Sequence, residues 1–438
     1  MKTVLITDRE YATLYMKSDV FKLISVALTR GSKRRLISLG IEVVACFEEE
    51  YEHLEQAEFD SDYLDHSFDS DRVLYRFPLQ KRLEILGKEI TFWRNVFDKY
   101  KPDVLVNEVV TLEYFEVMYI EARNHNVPYY CFLPNPIPHT IYWLETPYNS
   151  VMAFPEGNIT QDIQNKADDF INNIVVRNQK PFYIQNINDN KLSLICDALR
   201  HVLICYKANL KLKFSKRFKY EDYTDLYSFK LESAVSLLYK SYDKLVFDDK
   251  LEYYFFPIHY EPEATVTYFA DSYDDQVMMI GRFAHALSIN QRLIVKEHPQ
   301  QRGALLTTRY QNLKKKYKNI IFVESKITSY EIFKNIKAVI TLTGTAGFEA
   351  LVCGIPVILI GNVFYKNCSG VTFCNNFLEL KDIFRNHRYQ KPNKDEIKHF
   401  VELLFLKVRN VFPFKSGGKY IEEDIYNFTK EIEYILEK

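Results

Sequence analysis

The sequence lacks an uninterrupted apolar stretch that could cross a lipid bilayer. Its most apolar region, residues 338–365, is interrupted by Gly344, Gly347, Glu349 and Gly354. The N-terminal decapeptide MKTVLITDRE reaches an acidic and a basic residue after only a few apolar ones, so it lacks the apolar core of a signal peptide. We therefore expect a soluble protein whose chain starts with a β-strand.

The chain also lacks the cysteine pattern of a disulfide-stabilised or zinc-binding protein. Its 7 cysteines form no C-x-x-C pair, and their odd number is against a complete disulfide framework. Neither charge sign dominates, since 57 Lys and Arg balance 58 Asp and Glu for a net charge of −1. This balance excludes a general polyanion-binding protein. We expect a cytoplasmic protein with no nucleic-acid partner.

Tryptophan is scarce, with 2 residues against 32 Tyr and 32 Phe, and the dispersed aromatic residues indicate core positions with some sugar-stacking surface. At 438 residues the chain exceeds what one core usually supports. We predict an N-terminal α/β domain at 1–245 with a helical insertion, a C-terminal α/β domain at 246–415 and a final helix at 416–438 that packs back on the first domain.

Strands and helices alternate in both halves, which predicts two parallel sheets covered by helices. In the first half we predict strands at 3–7, 41–46, 104–107 and 128–132 and helices at 20–39, 81–100, 112–125, 161–176 and 189–211. In the second half we predict strands at 252–256, 292–296, 320–323, 338–342 and 356–360 and helices at 274–287, 308–316, 329–335, 395–409 and 422–436.

The most informative segment is AVITLTGTAGFEALVCGIPVILIGNVFY at 338–365. It predicts a strand, a turn at Thr343, Gly344 and Thr345, a short helix containing Gly347 and Glu349, and a second strand. Such a turn gathers free N–H groups and the positive end of the helix dipole, which suits a phosphate, and a carboxylate in the first helical turn could bind ribose hydroxyls. The alternative is that these residues only cap the helix.

Two further strand ends carry candidate residues. Lys296 and His298 end a strand before Pro299, where an ammonium and an imidazole suit the phosphates of a nucleotide. The loop PIHYEPEAT at 257–265 follows another strand, and its two prolines are expected to hold its polar side chains rigidly. These candidate binding residues are His259, Glu261 and Glu263. The alternative is a surface turn with solvated acids.

In the first domain, Glu108 directly follows a predicted strand and is the candidate catalytic base or nucleophile. Helix capping is its alternative role. Asp60 with Asp62, and Asp69 with Asp71, have the spacing of metal-binding acidic pairs, but they lie in a polar segment and are predicted to be solvated. No metal is required. The basic stretch 207–219 is interpreted as a solvated helix face. The alternatives are contact with a charged acceptor and peripheral contact with an anionic surface at the inner face of the cytoplasmic membrane.

The segments VKEHP, TLTGTAGFEALVCGIPVILIG and FFPIHYEPEAT together resemble the bacterial capsule polysaccharide biosynthesis family, which includes Kdo (3-deoxy-octulosonate) transferases. The resemblance covers about 252–365. It implies a GT-B glycosyltransferase, with two Rossmann-like domains facing across a cleft and C-terminal helices crossing the junction. The resemblance makes His298 a contact of the donor phosphate, with Thr345, Gly347 and Glu349 in the second motif. Gly344 departs from it, because relatives usually carry Ser there.

The resemblance further implies transfer of Kdo or another acidic sugar from a CMP-linked donor to a glycan or glycolipid acceptor of the bacterial surface. The leaving phosphate is expected at His298, Lys296 and residues 343–347, with no cofactor besides the donor. Two alternatives stay open: a non-hydrolysing epimerase acting on a UDP-sugar, and a non-catalytic partner in capsule assembly.

Overall fold

The chain folds into two compact units. The structure is a computed structural model and describes residues 1–9, 11–64, 71–144, 146–148, 158–175, 190–220, 224–261, 263–270, 273, 275–415 and 418–437. The first unit comprises Met1–Ser150, Ala208–Asp222 and Val408–Lys438, and the second comprises Val151–Lys207 and Tyr223–Lys407. The chain thus leaves and re-enters each unit.

The first unit is built on a six-stranded sheet with the strand order β3-β2-β1-β4-β5-β6. Its strands are β1 (Lys2–Thr7), β2 (Phe21–Ala27), β3 (Val43–Cys46), β4 (Val104–Glu108), β5 (Tyr129–Pro134) and β6 (Ile141–Leu144). All neighbours pair in parallel except β5 and β6, which are antiparallel. The order 3-2-1-4-5-6 is that of dinucleotide-binding Rossmann sheets.

Strand β2 corrects the predicted helix at 20–39. The segment Phe21–Ala27 lies beside β1 over its whole length, and the helix is confined to Arg30–Ser38. A strand buried on both faces has a near-continuous apolar run, which cannot be told from a buried helix by periodicity. The helix starts at Arg30 because the Thr29 side chain caps it, accepting a hydrogen bond from the Ser32 backbone.

The C-terminal end of the chain completes the core of the first unit. Ile141 and Arg409 exchange backbone hydrogen bonds of 3.0 and 2.8 Å. The Phe428 ring meets the rings of Phe132 and Trp143 edge-on, at centroid distances of 5.4 and 6.0 Å. The helices of this unit are Arg30–Ser38, Phe47–Glu50, Leu79–Tyr100, Glu113–Asn124 and Glu422–Glu437, with short 3-10 segments at Ala12–Tyr15, Tyr51–His53, Ser61–Leu64 and Leu74–Arg76.

The second unit is built on a six-stranded, fully parallel sheet with the order β12-β11-β10-β7-β8-β9. Its strands are β7 (Glu252–Pro257), β8 (Gln291–Lys296), β9 (Ile320–Val323), β10 (Ala338–Thr341), β11 (Val357–Leu359) and β12 (Val371–Phe373). Counted within the sheet, this is again the order 3-2-1-4-5-6. The predicted class of α/β protein with two Rossmann-like sheets is therefore confirmed.

The helices of the second unit cover this sheet. They are Gln161–Val175, Thr224–Tyr239, Ala264–Thr267, Gln276–Ala286, Thr308–Lys316, Ser329–Phe333, Thr345–Val352, Phe377–Arg385 and Lys394–Lys407, with a 3-10 segment at Ala304–Leu306. The helix Lys191–Ser215 begins in the second unit and ends in the first. Within the described ranges, no helix combines the length and apolar character needed to cross a membrane.

The division into units differs from the predicted domain bounds at 245 and 415. The segment Val151–Lys207 groups with the second unit because the helix Gln161–Val175 packs on Lys394–Lys407. Lys398 Nζ contacts Asp168 Oδ1 at 2.6 Å, and the Phe170 and Phe405 rings meet edge-on at 6.2 Å. Packing between distant parts of the chain thus assigns the helical insertion to the second sheet.

Candidate functional site

The strand order of the second sheet reverses between β7 and β10, which are neighbours with crossover connections leading away on opposite sides. In open parallel sheets, ligands bind outside the carboxyl ends of the strands at such a switch point. The chain leaving β7 carries His259, the chain leaving β8 carries His298, and the chain leaving β10 forms the turn Thr343–Gly344–Thr345. Three predicted site segments therefore lie at the same edge of one sheet.

His259 links two of these strand ends. Its Nε2 atom accepts a hydrogen bond from the Thr343 backbone N–H at 3.3 Å. Gln276 fixes the backbone of His259 from the other side, accepting from its N–H at 2.6 Å and donating to its carbonyl at 3.1 Å. Burial lowers the pKa of His259 to about 4. The imidazole is therefore neutral at physiological pH and acts as a hydrogen-bond acceptor that holds the turn.

The turn itself is closed by hydrogen bonds. The Gly344 N–H donates to Thr341 Oγ1 at 3.0 Å, and the Tyr365 hydroxyl donates to the Gly344 carbonyl at 2.6 Å. The backbone N–H groups of Thr343 and Gly344 are thus used within the protein. The Gly347 N–H donates to the Gly344 carbonyl at 3.1 Å, and the start of the helix Thr345–Val352 forms the positive end of its dipole. The Gly344 N–H is therefore part of the internal hydrogen bonding of the turn.

Two glycines allow the turn to pack this closely. A Cβ atom at Gly344 would lie 3.0 Å from Thr341 Oγ1 and 3.1 Å from His259 Nε2. A Cβ atom at Gly347 would lie 2.4 Å from the Tyr365 hydroxyl oxygen. A serine at position 344 would therefore be crowded, because His259 and Thr341 occupy the space that the serine side chain would need.

His298 is half-buried beyond the end of β8. Its Nδ1 atom accepts a hydrogen bond from the Gln300 backbone N–H at 3.2 Å. Burial, followed by the electrostatic influence of His259 and Lys296, lowers the pKa of His298 to about 4. A neutral ring that accepts at Nδ1 carries its proton on Nε2. His298 is thus a neutral hydrogen-bond donor within electrostatic range of His259 and Lys296.

Lys296 and Glu349 lie within electrostatic range of each other. Lys296 is buried at the end of β8, and Glu349 is half-buried in the helix Thr345–Val352. Burial raises the pKa of Glu349 to about 7, while the Lys296 charge and the Tyr330 hydroxyl oppose the increase. The structure thus brings together Lys296, His298, His259, the turn and Glu349.

Glu297, which lies between Lys296 and His298 in the sequence, is buried and has hydrogen-bond partners within the protein. It accepts from the Tyr242 hydroxyl at 2.6 Å and accepts from the Leu305 N–H at 3.3 Å. Burial raises its pKa to about 7. These contacts hold the chain after β8 and leave the neighbouring His298 as the more exposed side chain of the pair.

The predicted binding residues Glu261 and Glu263 have other partners. Glu261 forms an ion pair with Arg309 at 3.2 Å and accepts from Gln276 Nε2 at 2.9 Å. The Glu263 carbonyl accepts from the backbone N–H groups of Val266 and Thr267 and starts the helix Ala264–Thr267. Both residues therefore shape the loop after β7. Gln276, which fixes both His259 and Glu261, was not predicted, because its contacts join residues 17 and 15 positions apart.

The first sheet has a corresponding switch point between β1 and β4. Thr7 Oγ1 donates to Asn107 Oδ1 at 2.9 Å across the two strand ends. Directly after them, the Tyr11 hydroxyl donates to Glu108 Oε2, and Arg9 contacts Thr111. Burial raises the pKa of Glu108, opposed by the Arg9 charge and the Tyr11 hydrogen bond. The candidate carboxylate therefore lies at the edge of its sheet where β1 and β4 end, and Tyr11 is a partner that was not predicted.

The two acidic pairs differ in their surroundings. Asp60 and Asp62 are exposed, as predicted, whereas Asp71 is buried and Asp69 lies outside the described residues. Asp71 accepts backbone hydrogen bonds of 2.7 Å from Val73, Leu74 and Glu113, so its predicted solvation is wrong. Its role is to fix two chain segments. In the described ranges, no group of three or more His, Cys, Asp or Glu side chains has an arrangement that could hold a metal ion. Metal independence stays a prediction.

Residues 216–407 match the family model "Capsule polysaccharide biosynthesis protein". Solved structures similar to the chain include Thermosulfurimonas dismutans KpsC, beta Kdo 2,7 transferase, with 14% identity, coverage of 99% of this chain and 100% of that chain, and a TM-score of 0.35. UDP-GlcNAc 2-epimerase from Neisseria meningitidis is similar at 13% identity, full coverage of both chains and a TM-score of 0.33. No curated protein sequence matches the chain.

The matched segment contains the three strand ends of the second sheet that carry His259, His298 and the turn Thr343–Gly344–Thr345. This agrees with the resemblance found in the sequence motifs. Residues 216–407 of this chain are therefore similar to the capsule polysaccharide biosynthesis proteins.

Proposed function

We propose that the protein is a glycosyltransferase of capsule biosynthesis and that its second unit binds the phosphate of a nucleotide-sugar donor. The observation that carries this proposal is the environment of His298. A neutral imidazole with its proton on Nε2 lies within electrostatic range of Lys296, at the edge where β7, β8 and β10 end. A hydrogen-bond donor beside a buried ammonium suits an anionic ligand.

In this proposal, glycosyl transfer releases the donor's nucleotide, and negative charge grows on the leaving phosphate. The His298 Nε2–H donates a hydrogen bond to that phosphate, and Lys296 compensates the charge. The start of the helix Thr345–Val352 adds the positive end of its dipole. His259 acts indirectly, because it holds Thr343 and so positions this helix start.

Glu349 is proposed to bind the ribose of the nucleotide. It lies one helical turn beyond the phosphate-binding helix start, and its carboxylate can accept from two hydroxyl groups. Its pKa of about 7 means that the carboxylate and the protonated acid are both populated near neutral pH. The carboxylate is the form that accepts both hydrogen bonds.

Glu108 is proposed as the catalytic carboxylate of the first unit. As a base it removes the proton of the acceptor hydroxyl, and as a nucleophile it forms a glycosyl intermediate. Its raised pKa and the hydrogen bond from Tyr11 both depend on its placement after β4. Tyr11 positions the carboxylate and is not proposed to contact the sugar.

The donor is proposed to be a CMP-linked acidic sugar such as Kdo, and the acceptor a capsule or lipopolysaccharide glycan or glycolipid at the cytoplasmic face of the membrane. These assignments rest on the motif resemblance of residues 252–365 and on the family match. No metal or cofactor other than the donor is part of the proposal.

A thermal-shift panel with CMP, UDP, GDP and dTDP tests nucleotide binding and base preference together. We expect CMP to raise the melting temperature of the wild-type protein and His298→Ala to abolish the increase. The matched control is His285→Ala, at an exposed position of the helix Gln276–Ala286, which keeps the full response. Stabilisation by UDP instead supports the epimerase alternative, and no response to any nucleotide supports the non-catalytic alternative. An unchanged CMP response in His298→Ala contradicts the proposed phosphate contact.

A further inference from the structure

The helix Lys191–Ser215 exposes a continuous apolar stripe along its length. The stripe residues recur every three or four positions and are Leu192, Cys196, Leu199, Leu203, Tyr206, Leu210 and Phe214. At 3.6 residues per turn this spacing places them on one face, over a length of about 33 Å. Leu203 is 57% exposed and Phe214 is 82% exposed. A contiguous exposed apolar surface of this kind marks an interaction site.

The stripe is not the face by which this helix packs on the protein. His201, about 180° around the helix from Leu192 and Leu210, stacks on the Tyr227 ring at 4.6 Å with an interplanar angle of 9°. Lys191 Nζ donates to the Leu237 carbonyl at 2.8 Å. Both contacts are made with the helix Thr224–Tyr239. The helix therefore has one face packed on its neighbour and a second apolar face directed outward.

The charge around the stripe has one sign. The helix contains the exposed basic residues Lys191, Arg200, Lys207, Lys211 and Lys213 and a single acidic residue, Asp197. Lys207 and Lys213 lie on the two edges of the stripe, about 60° to either side of its centre. Lys216 and Arg217 follow the helix and are also exposed. This concentration of positive charge stands out in a chain with a net charge of −1.

We infer that the apolar stripe docks on an anionic lipid surface, with the helix lying in the plane of the interface. An apolar face bordered by Lys and Arg inserts between the lipid headgroups while its charges bind anionic phosphates. A second copy of the chain is a poorer partner, because pairing two such stripes places the basic residues of one helix against those of the other, and Asp197 is the single acidic residue within this helix. The inference does not depend on the proposed nucleotide site.

Vesicle flotation with the full-length protein tests this inference. We expect the protein to float with vesicles of phosphatidylcholine containing phosphatidylglycerol, and at least tenfold less with pure phosphatidylcholine or in high salt. Phe214→Trp adds a spectroscopic readout, because its emission shifts to the blue when the indole enters the interface. Binding that is equal for neutral and anionic vesicles contradicts the role assigned to the basic edges.

The double variant Leu203→Asp with Leu210→Asp is expected to reduce vesicle binding at least tenfold, and Leu203→Ser with Leu210→Ser tests the same positions without added charge. Both keep the wild-type melting temperature. The matched control is Leu378→Asp, on an exposed leucine of the helix Phe377–Arg385, which leaves binding unchanged. Sedimentation of the wild type as a dimer that the double variant converts to a monomer, or no flotation of the wild type, overturns the inference.

Discussion

His259 accepts the backbone N–H of Thr343 at a distance of 3.3 Å, and so joins the chain leaving β7 to the chain leaving β10. These strands are the pair between which the order of the second sheet reverses. A buried N–H group needs a partner, because leaving it unpaired costs about 1–3 kcal/mol. The neutral imidazole supplies that partner and at the same time fixes the turn that starts the helix Thr345–Val352.

The first prediction concerns the space at Gly344. Gly344→Ala places a methyl group 3.1 Å from His259 Nε2 and 3.0 Å from Thr341 Oγ1, the two atoms that accept hydrogen bonds in the turn. We expect a loss of stability of about 1–3 kcal/mol from overpacking and weaker CMP binding, measured by thermal unfolding and by titration. The control Gly31→Ala meets only Thr29 Oγ1 at 3.5 Å. It is expected to be neutral or slightly stabilising. Wild-type stability and affinity in Gly344→Ala contradict the tight turn.

The second prediction is a pH dependence from His259. Its pKa is about 4 in the folded protein, below the value of about 6.5 for an unperturbed His. The unfolded chain therefore binds more protons between these values, so the contribution of His259 to stability is complete above pH 6.5 and is lost as the pH falls towards 4. For this buried group the full contribution is about 3 kcal/mol.

His259→Gln keeps an acceptor for Thr343 but does not titrate, so it isolates this effect. Lowering the pH from 7 to 4.5 is expected to lower the melting temperature of the wild type more than that of His259→Gln. Buried carboxyl groups such as Glu297 titrate in both proteins and cancel in the comparison. A gap that does not vary with pH argues against a neutral, buried His259.

The third prediction separates Glu349 from Glu297, whose pKa values are both about 7. Glu349→Gln is expected to weaken CMP binding about tenfold with little change in melting temperature. Glu297→Gln is expected to lower stability by about 1–3 kcal/mol, because it disturbs the hydrogen bonds from Tyr242 and Leu305. Its CMP response, measured relative to its own melting temperature, stays normal.

Glu349 also predicts how nucleotide affinity depends on pH. Only the carboxylate accepts from both ribose hydroxyls, so wild-type affinity for CMP is expected to rise as the pH increases through 7. The phosphate of CMP titrates near pH 6 and contributes its own increase, which Glu349→Gln retains. Titration calorimetry from pH 6 to 8 measures the difference. Parallel pH profiles for both proteins contradict the ribose contact.

The fourth prediction assigns turnover to the first unit and nucleotide binding to the second. Glu108→Gln is expected to lower kcat by about 10²–10⁴ while leaving the CMP-induced shift in melting temperature intact. Tyr11→Phe, which removes the hydrogen bond to Glu108, is expected to give a smaller loss in kcat. The control Glu42→Gln affects only an exposed ion pair with Lys22 and retains activity. Normal turnover in Glu108→Gln assigns the chemistry to another group.

Local signals in the sequence were sufficient for much of the second sheet. The helix Thr308–Lys316 and the strand Ile320–Val323 have the predicted bounds, because each is a short periodic segment between clear breaks. The strand-end positions of His259, His298 and the turn after β10 were predicted for the same reason. The strand Phe21–Ala27 was missed, since a strand buried on both faces gives no alternating pattern.

The partners of the site residues could not be predicted from the sequence. His259 was expected to bind the donor, whereas its Nε2 atom is used by Thr343, 84 positions away. Asp71 was expected to be solvated, whereas it binds the backbone of Glu113, 42 positions away. Such contacts are set by the tertiary fold, and no spacing or composition in the chain indicates them.

The bridge between Ile141 and Arg409 and the packing of Phe428 on Phe132 and Trp143 have a practical consequence for dissecting the protein. A fragment that stops at residue 150 exposes the aromatic surface that the last thirty or so residues normally cover. An independently folding first unit therefore requires a fusion protein in which residues 1–150 are linked to residues 408–438. Residues 208–222 must be included as well.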